Sequence, residues 1–146
     1  MTSKVNFYLL SGSSHEDACY FACRLVEKAL SGGLSVYILM NDHAGCEYMD
    51  DLLWSFKPES FIPHMIEDSE SDTDDEDIKV LVSEGKTAPA EADIMINLSS
   101  RVPDFHNIFS TIAEIVSTDE QDKSSKRERW IHYQSLGYDL NRHSIT

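Results

Sequence analysis

The residues best suited to do chemistry in this chain are a run of bases beside an indole, Lys123-Ser-Ser-Lys126-Arg127-Glu-Arg129-Trp130. Each helical residue turns by about 100°, so Lys123, Lys126, Arg127, Trp130 and Gln134 fall on one arc. Such an arc suits capture of an anion with an apolar end, the bases pairing with carboxylates while the ring borders a pocket. It equally fits a solvated helix face with Trp130 packed inward. A second group is aromatic: Leu52-Leu53-Trp54-Ser55-Phe56 leads into Glu59-Ser60-Phe61-Ile62-Pro63-His64. Trp54, Phe56, Phe61 and Ile62 exceed what one loop usually buries. They read either as core or as the anchors of a protein partner.

Motifs for covalent or cofactor chemistry fail on inspection. The first turn, Ser11-Gly12-Ser13-Ser14-His15, lacks the second Gly and the Lys with Ser or Thr of a phosphate loop, and the three glycines of a dinucleotide fingerprint. A phospho-acceptor domain needs paired acids after its first strand and an Asp after a central one, but the positions read Ser11-Gly12 and Ser99-Ser100. Ser13 or Ser14 beside His15 has no nucleophile elbow around it. Cys19 and Cys23 share a helix face, and His43 and Cys46 lie near the next helix, so a zinc quartet is conceivable. Both thiols of the pair occupy apolar positions, however, where they act as small hydrophobes. Asp68, Glu70, Asp72 and Asp74 alternate as in a calcium loop, yet Thr73 replaces its Gly and Lys79 its bidentate Glu. We therefore expect no catalytic residue, no metal and no cofactor.

The elements that must position these groups are those of a chain of 146 residues, enough for one domain spanning 1–146 that buries roughly two-thirds of its unfolded surface. Hydrophobic residues make up 41%, which suits a globular protein. Twelve Lys and Arg against twenty-six Asp and Glu give a net charge of -14, which argues against a protein that grips nucleic-acid phosphates. Residues 67–77, EDSESDTDDED, hold eight of the acids and read as a solvated loop, with 86–91 as a shorter one. The N-terminus lacks the apolar core of a signal peptide, and the longest apolar run, Val36 to Met40, falls far short of a bilayer span; a cytoplasmic protein with reduced cysteines is expected.

Lys4 to Leu10 reads as a strand, followed by a helix capped by Ser13 or Ser14 and stopped at Gly32-Gly33. Leu34 to Met40 predicts a strand, and Asp42 caps a helix to about Phe56. Ile78 to Val82 and Ile94 to Leu98 suit buried strands, and the β-branched end of Phe109 to Val116 another. A last helix spans about Asp119 to Leu136. Strand-helix-strand order implies right-handed parallel crossovers, hence an α/β sheet covered on both faces.

In this order and spacing, FYLL, ACRLVEKAL, VYIL, DDLLWSF, ESFIPH, ADIMINLS with Val102-Pro103, RERW with Tyr133, and Gly137-Tyr138 closely resemble the chi subunit of bacterial DNA polymerase III, an accessory protein of the clamp loader. The resemblance covers nearly all the chain except about residues 67–91. It implies a three-layer α/β/α domain with a mostly parallel mixed sheet and mononucleotide-binding-like topology, without catalysis. It also implies two protein partners. The psi subunit would be held through Trp54, Phe61, Ile62, Pro63 and His64, a surface that a repair helicase shares in some relatives. The acidic C-terminal tail of the single-stranded DNA-binding protein would be held through Lys123, Arg127 and Trp130, with Val116 lining the pocket; the cationic arc adds Lys126. Ile131 stands where some relatives carry another base, which bears on the strength of tail binding. The other class of reading is a small α/β nucleotide-binding protein or enzyme with an unrecognised site.

Overall fold

The computed structural model describes residues 4–12, 14–56, 64–66, 79–86, 88–89 and 92–145; the acidic run 67–77 and Phe61, Ile62 and Pro63 lie outside them. In chain order the elements are β1 (Lys4–Leu9), α1 (His15–Ser31), β2 (Val36–Leu39), α2 (His43–Ser55), β3 (His64–Ile66), β4 (Val80–Ser83), β5 (Ile94–Asn97), a short 3-10 turn (His106–Ile108), β6 (Thr111–Val116), α3 (Glu120–Ser135) and β7 (Asp139–Ser144). The strands form one sheet in the order β3-β4-β2-β5-β6-β1-β7. Each described pairing is parallel, so the antiparallel component expected of a mixed sheet is not found among the described residues.

Each helix begins where a side-chain oxygen satisfies one of its open amides. Ser14 Oγ accepts from Asp17 N at 3.1 Å, which settles the first cap. Asp42 Oδ1 accepts from Gly45 N at 2.8 Å, and Asp119 Oδ2 from Asp122 N at 3.0 Å. Gly137, just past α3, has φ of 82°, a left-handed turn that suits glycine.

Alternation along the strands divides the core between two faces. Ile38, Val82, Ile96 and Ile115 meet Phe21, Val26, Met49 and Leu53 of α1 and α2. Val5, Phe7, Tyr37, Met95 and Val116 pack on the other face with Tyr133 of α3. This is the three-layer arrangement expected from the strand-helix order. Cys19, Cys23 and Cys46 are buried in the first core, and desolvation pushes the Cys19 and Cys23 thiols up to about 12, so they stay protonated filler. Among the described residues no helix is long and apolar enough to cross a membrane.

Two strands escape the sequence pattern. β3 has only three residues, and β7, DLNRHS, is polar and exposed along most of its length. Both sit at sheet edges, where backbone pairing on one side suffices and no apolar alternation is imposed. β7 lies parallel to β1, with Phe7 opposite Arg142.

Candidate functional site

Helix α3 is fixed to the sheet by charged side chains. Glu114, in the middle of β6, is 0% exposed. Its Oε1 accepts from Arg129 Nη1 at 2.6 Å, and its Oε2 from Tyr133 OH at 2.7 Å and Asn97 Nδ2 at 3.1 Å. Arg129 Nη2 also donates to the Ser99 carbonyl at 2.8 Å. Lys126, 8% exposed, donates to the Ile115 carbonyl at 3.1 Å and pairs with Asp122 at 3.5 Å. Burial, and next the neighbouring Glu114, raise the Tyr133 hydroxyl far above its ordinary value, so it remains a donor. A buried carboxylate with this many partners is what the low-dielectric interior requires.

Once residues 126, 129 and 133 face the sheet, helical geometry turns Lys123 and Arg127 outward and leaves Trp130 on the border. The predicted arc is therefore split: Lys123, Arg127 and Gln134 are exposed, whereas the Lys126 ammonium engages the protein itself. The sequence had no means of drawing that boundary, because Lys126 and Arg129 match their exposed neighbours in type.

Beside this row lies a cavity of about 440 Å³. All five side chains read from the sequence as tail-binding, Val116, Lys123, Lys126, Arg127 and Trp130, line it. Phe7 and Leu9 of β1 complete the apolar floor, the Trp130 ring lying 5.1 Å from that of Phe7. Arg142 of β7 also lines the cavity. Among the described residues the Lys123 ammonium has only a long contact of 3.9 Å to exposed Glu120, and Arg127 pairs with no described carboxylate. Bases around an apolar floor can hold an anionic chain that ends in an apolar side chain. Phe7 and Leu9 were missed as site residues although the alternation of Val5, Phe7 and Leu9 places them on one face. Arg142 was missed because nothing in its segment announced a strand.

The aromatic group is described only in part. Trp54 is 54% exposed near the end of α2, and Phe56 is half-buried with its ring 5.3 Å from that of Tyr20. Phe61, Ile62 and Pro63 lie outside the described residues; His64 opens β3, and its side chain is not described. α2 packs on the face of the sheet opposite to α3, near β3 and β4, so Trp54 and the cavity occupy separate regions.

A family model described as DNA polymerase III chi subunit, HolC, matches residues 1–141. The DNA polymerase III subunit chi of Pseudomonas aeruginosa is 32% identical over 143 residues, covering 98% of this chain and 97% of the relative. Its counterpart in Haemophilus influenzae is 27% identical over 145 residues, 99% of each chain. That of Escherichia coli is 26% identical over 139 residues, 92% of this chain and 93% of the relative. Among solved structures, the crystal structure of T4 UvsW superposes with a TM-score of 0.68 at 8% identity, covering 99% of this chain and 41% of that one, a likeness of fold alone.

Proposed function

This chain belongs to the DNA polymerase III chi subunit family, and on that premise we propose that it is a non-catalytic adaptor linking the clamp loader to the coated lagging strand. In this reading the acidic C-terminal tail of the single-stranded DNA-binding protein enters the cavity beside α3. Lys123 and Arg127 pair with its carboxylates, while Phe7, Val116 and Trp130 receive its apolar terminal side chain. Lys126 shapes the wall and holds α3 in place. The observation that carries the reading is a cation-rimmed apolar cavity in a protein whose net charge is -14. A body of that charge does not compete for the DNA that its partner coats.

The psi subunit would dock on the other face, through exposed Trp54 and the segment of Phe61, Ile62, Pro63 and His64, and a repair helicase could use the same surface. Trp54→Ala should abolish psi capture and leave the melting temperature within about 2 °C, because substitutions of exposed side chains usually change stability by under about 0.5 kcal/mol. The protein is proposed to act in the cytoplasm.

The deciding experiment is retention of the single-stranded DNA-binding protein on immobilised chain, with and without that partner's C-terminal tail. Retention that disappears with the tail is expected; equal retention of both forms overturns the reading.

One observation favours a nucleotide-binding alternative: a smaller cavity, about 290 Å³, opens at the carboxyl ends of the strands between Ser14 and Ser100. Asp119 and Asp122 line it, however, and outnumber the one Lys there, Lys126, which is already engaged with Asp122 and the Ile115 carbonyl, so phosphate would be repelled. A thermal shift with any nucleoside triphosphate would revive that alternative.

A further inference from the structure

The cavity beside α3 is also lined by a base from a different element. β7 runs parallel to β1, and strand alternation separates its side chains between the two faces of the sheet. Leu140 packs with Phe7 and Tyr133 on the α3 side, whereas His143 stacks on Tyr8 at 5.1 Å and reaches Asn6 Oδ1 at 3.3 Å on the other. Arg142 shares the parity of Leu140, sits opposite Phe7 in register and lines the cavity. It is exposed and pairs with no described carboxylate. Ile131, by contrast, is 60% exposed and does not line this cavity.

We propose that Arg142 is a third ligand-binding cation of this site, contacting an acidic side chain upstream of the ligand's last residue while Lys123 and Arg127 act from the helix side. The proposal rests on the reading of the cavity as a site for an acidic tail. It deepens that reading by making the site a clamp between two elements, selective for a ligand with several carboxylates. A ligand with only its terminal carboxylate can be satisfied by α3. One with further acids upstream also engages the guanidinium on β7. Arg142 thereby adds a base to the site from a direction that its neighbours in sequence do not suggest.

The test uses the full chain and two synthetic peptides with free C-termini, one with several Asp residues before an apolar last residue and one with Asn in their place. Titration calorimetry compares wild type, Arg142→Ala, Arg142→Lys and Arg127→Ala. Arg142→Ala should weaken the Asp peptide by about three- to tenfold, the range of a partly solvated ion pair, and the Asn peptide by less than about twofold. Arg142→Lys should recover part of the loss. Arg142 is exposed, so an unchanged melting temperature is expected for both variants. If Arg127→Ala weakens the Asp peptide while Arg142→Ala does not, the site stands and this role of Arg142 falls. Equal losses on both peptides would likewise overturn it, since Arg142 would then act by packing or on the terminal carboxylate. No wild-type binding of the Asp peptide would overturn the proposal together with the reading beneath it.

Discussion

Helix α3 carries two cationic rows built from the same residue types but placed in opposite surroundings. Lys126 and Arg129 turn into the sheet, where Glu114, Asn97 and backbone carbonyls accept from them. Lys123 and Arg127 turn to the cavity and have little internal partnership. A buried charge must be matched within the fold, because little water reaches it, so the inner row fixes the helix and can be lost only at the expense of stability. An exposed charge gains little from the fold and remains available to a ligand. Charge type therefore does not identify a binding residue; the partners already engaged do.

The sharpest way to break the comparison is to cut the inner row. Glu114→Ala leaves Arg129 buried and unpaired and frees Tyr133 and Asn97, so unfolding in urea should show a loss of about 3–5 kcal/mol. Replacing Glu114 and Arg129 together by Leu should cost much less than either single change, because neither charge is then stranded. If Glu114→Ala melted like wild type, the inner row would have no structural role.

On the outer row, Arg127→Ala should raise the tail-peptide dissociation constant about ten- to a hundredfold, corresponding to about 1.5–3 kcal/mol for a hydrogen bond to a charged group. Its melting temperature should not move. Lys126→Met falls between the rows. It removes the donor from the Ile115 carbonyl and the ion pair from Asp122, which keeps its hydrogen bonds from Ser117, so stability should drop by about 1–3 kcal/mol, and tail affinity should change less than for Arg127→Ala. The reverse ranking in calorimetry would assign Lys126 to the outer row.

The smallest expected effect concerns His106, whose ring lies 6.3 Å from that of His132 and whose Nδ1 is 3.2 Å from Tyr138 OH. Burial, and next the neighbouring His132, lower its pKa below its ordinary value of 6.5. The native state then binds fewer protons than the unfolded chain, so this contribution is complete above pH 6.5 and is lost as pH falls through the folded pKa. His106→Gln should flatten a shallow decline in melting temperature between about pH 7 and 5; an unchanged profile would exclude His106 as its source.

Much of the architecture could be read from local rules. The run around Ile38, the helical spacing of Phe21, Ala22 and Val26, a cap at Ser13 or Ser14, one at Asp42 and a helix start near Asp119 each agree with the observed elements. Glu114 could not be read. Within TIAEIV an acid looks like the solvent side of a strand, and only the covering helix makes it interior. β7 could not be read either, since an edge strand paired on one side imposes no apolar period. With β7 went Arg142 and its part of the cavity lining. The bases near Trp130 were visible as a group, but their division was not, because it depends on how α3 is rotated against the sheet.

The pairing of β1 with β7 brings Lys4 beside Asp139 and Phe7 beside Arg142. Contacts so distant along the chain carry a large loop-closure entropy and form slowly. Synthesis proceeds from the N-terminus at about 5–20 residues per second, so the strand bearing Arg142 emerges only after α3 and β6. The base on β7 is thus the last part of the site to be synthesised, after the apolar floor and the helix beside it.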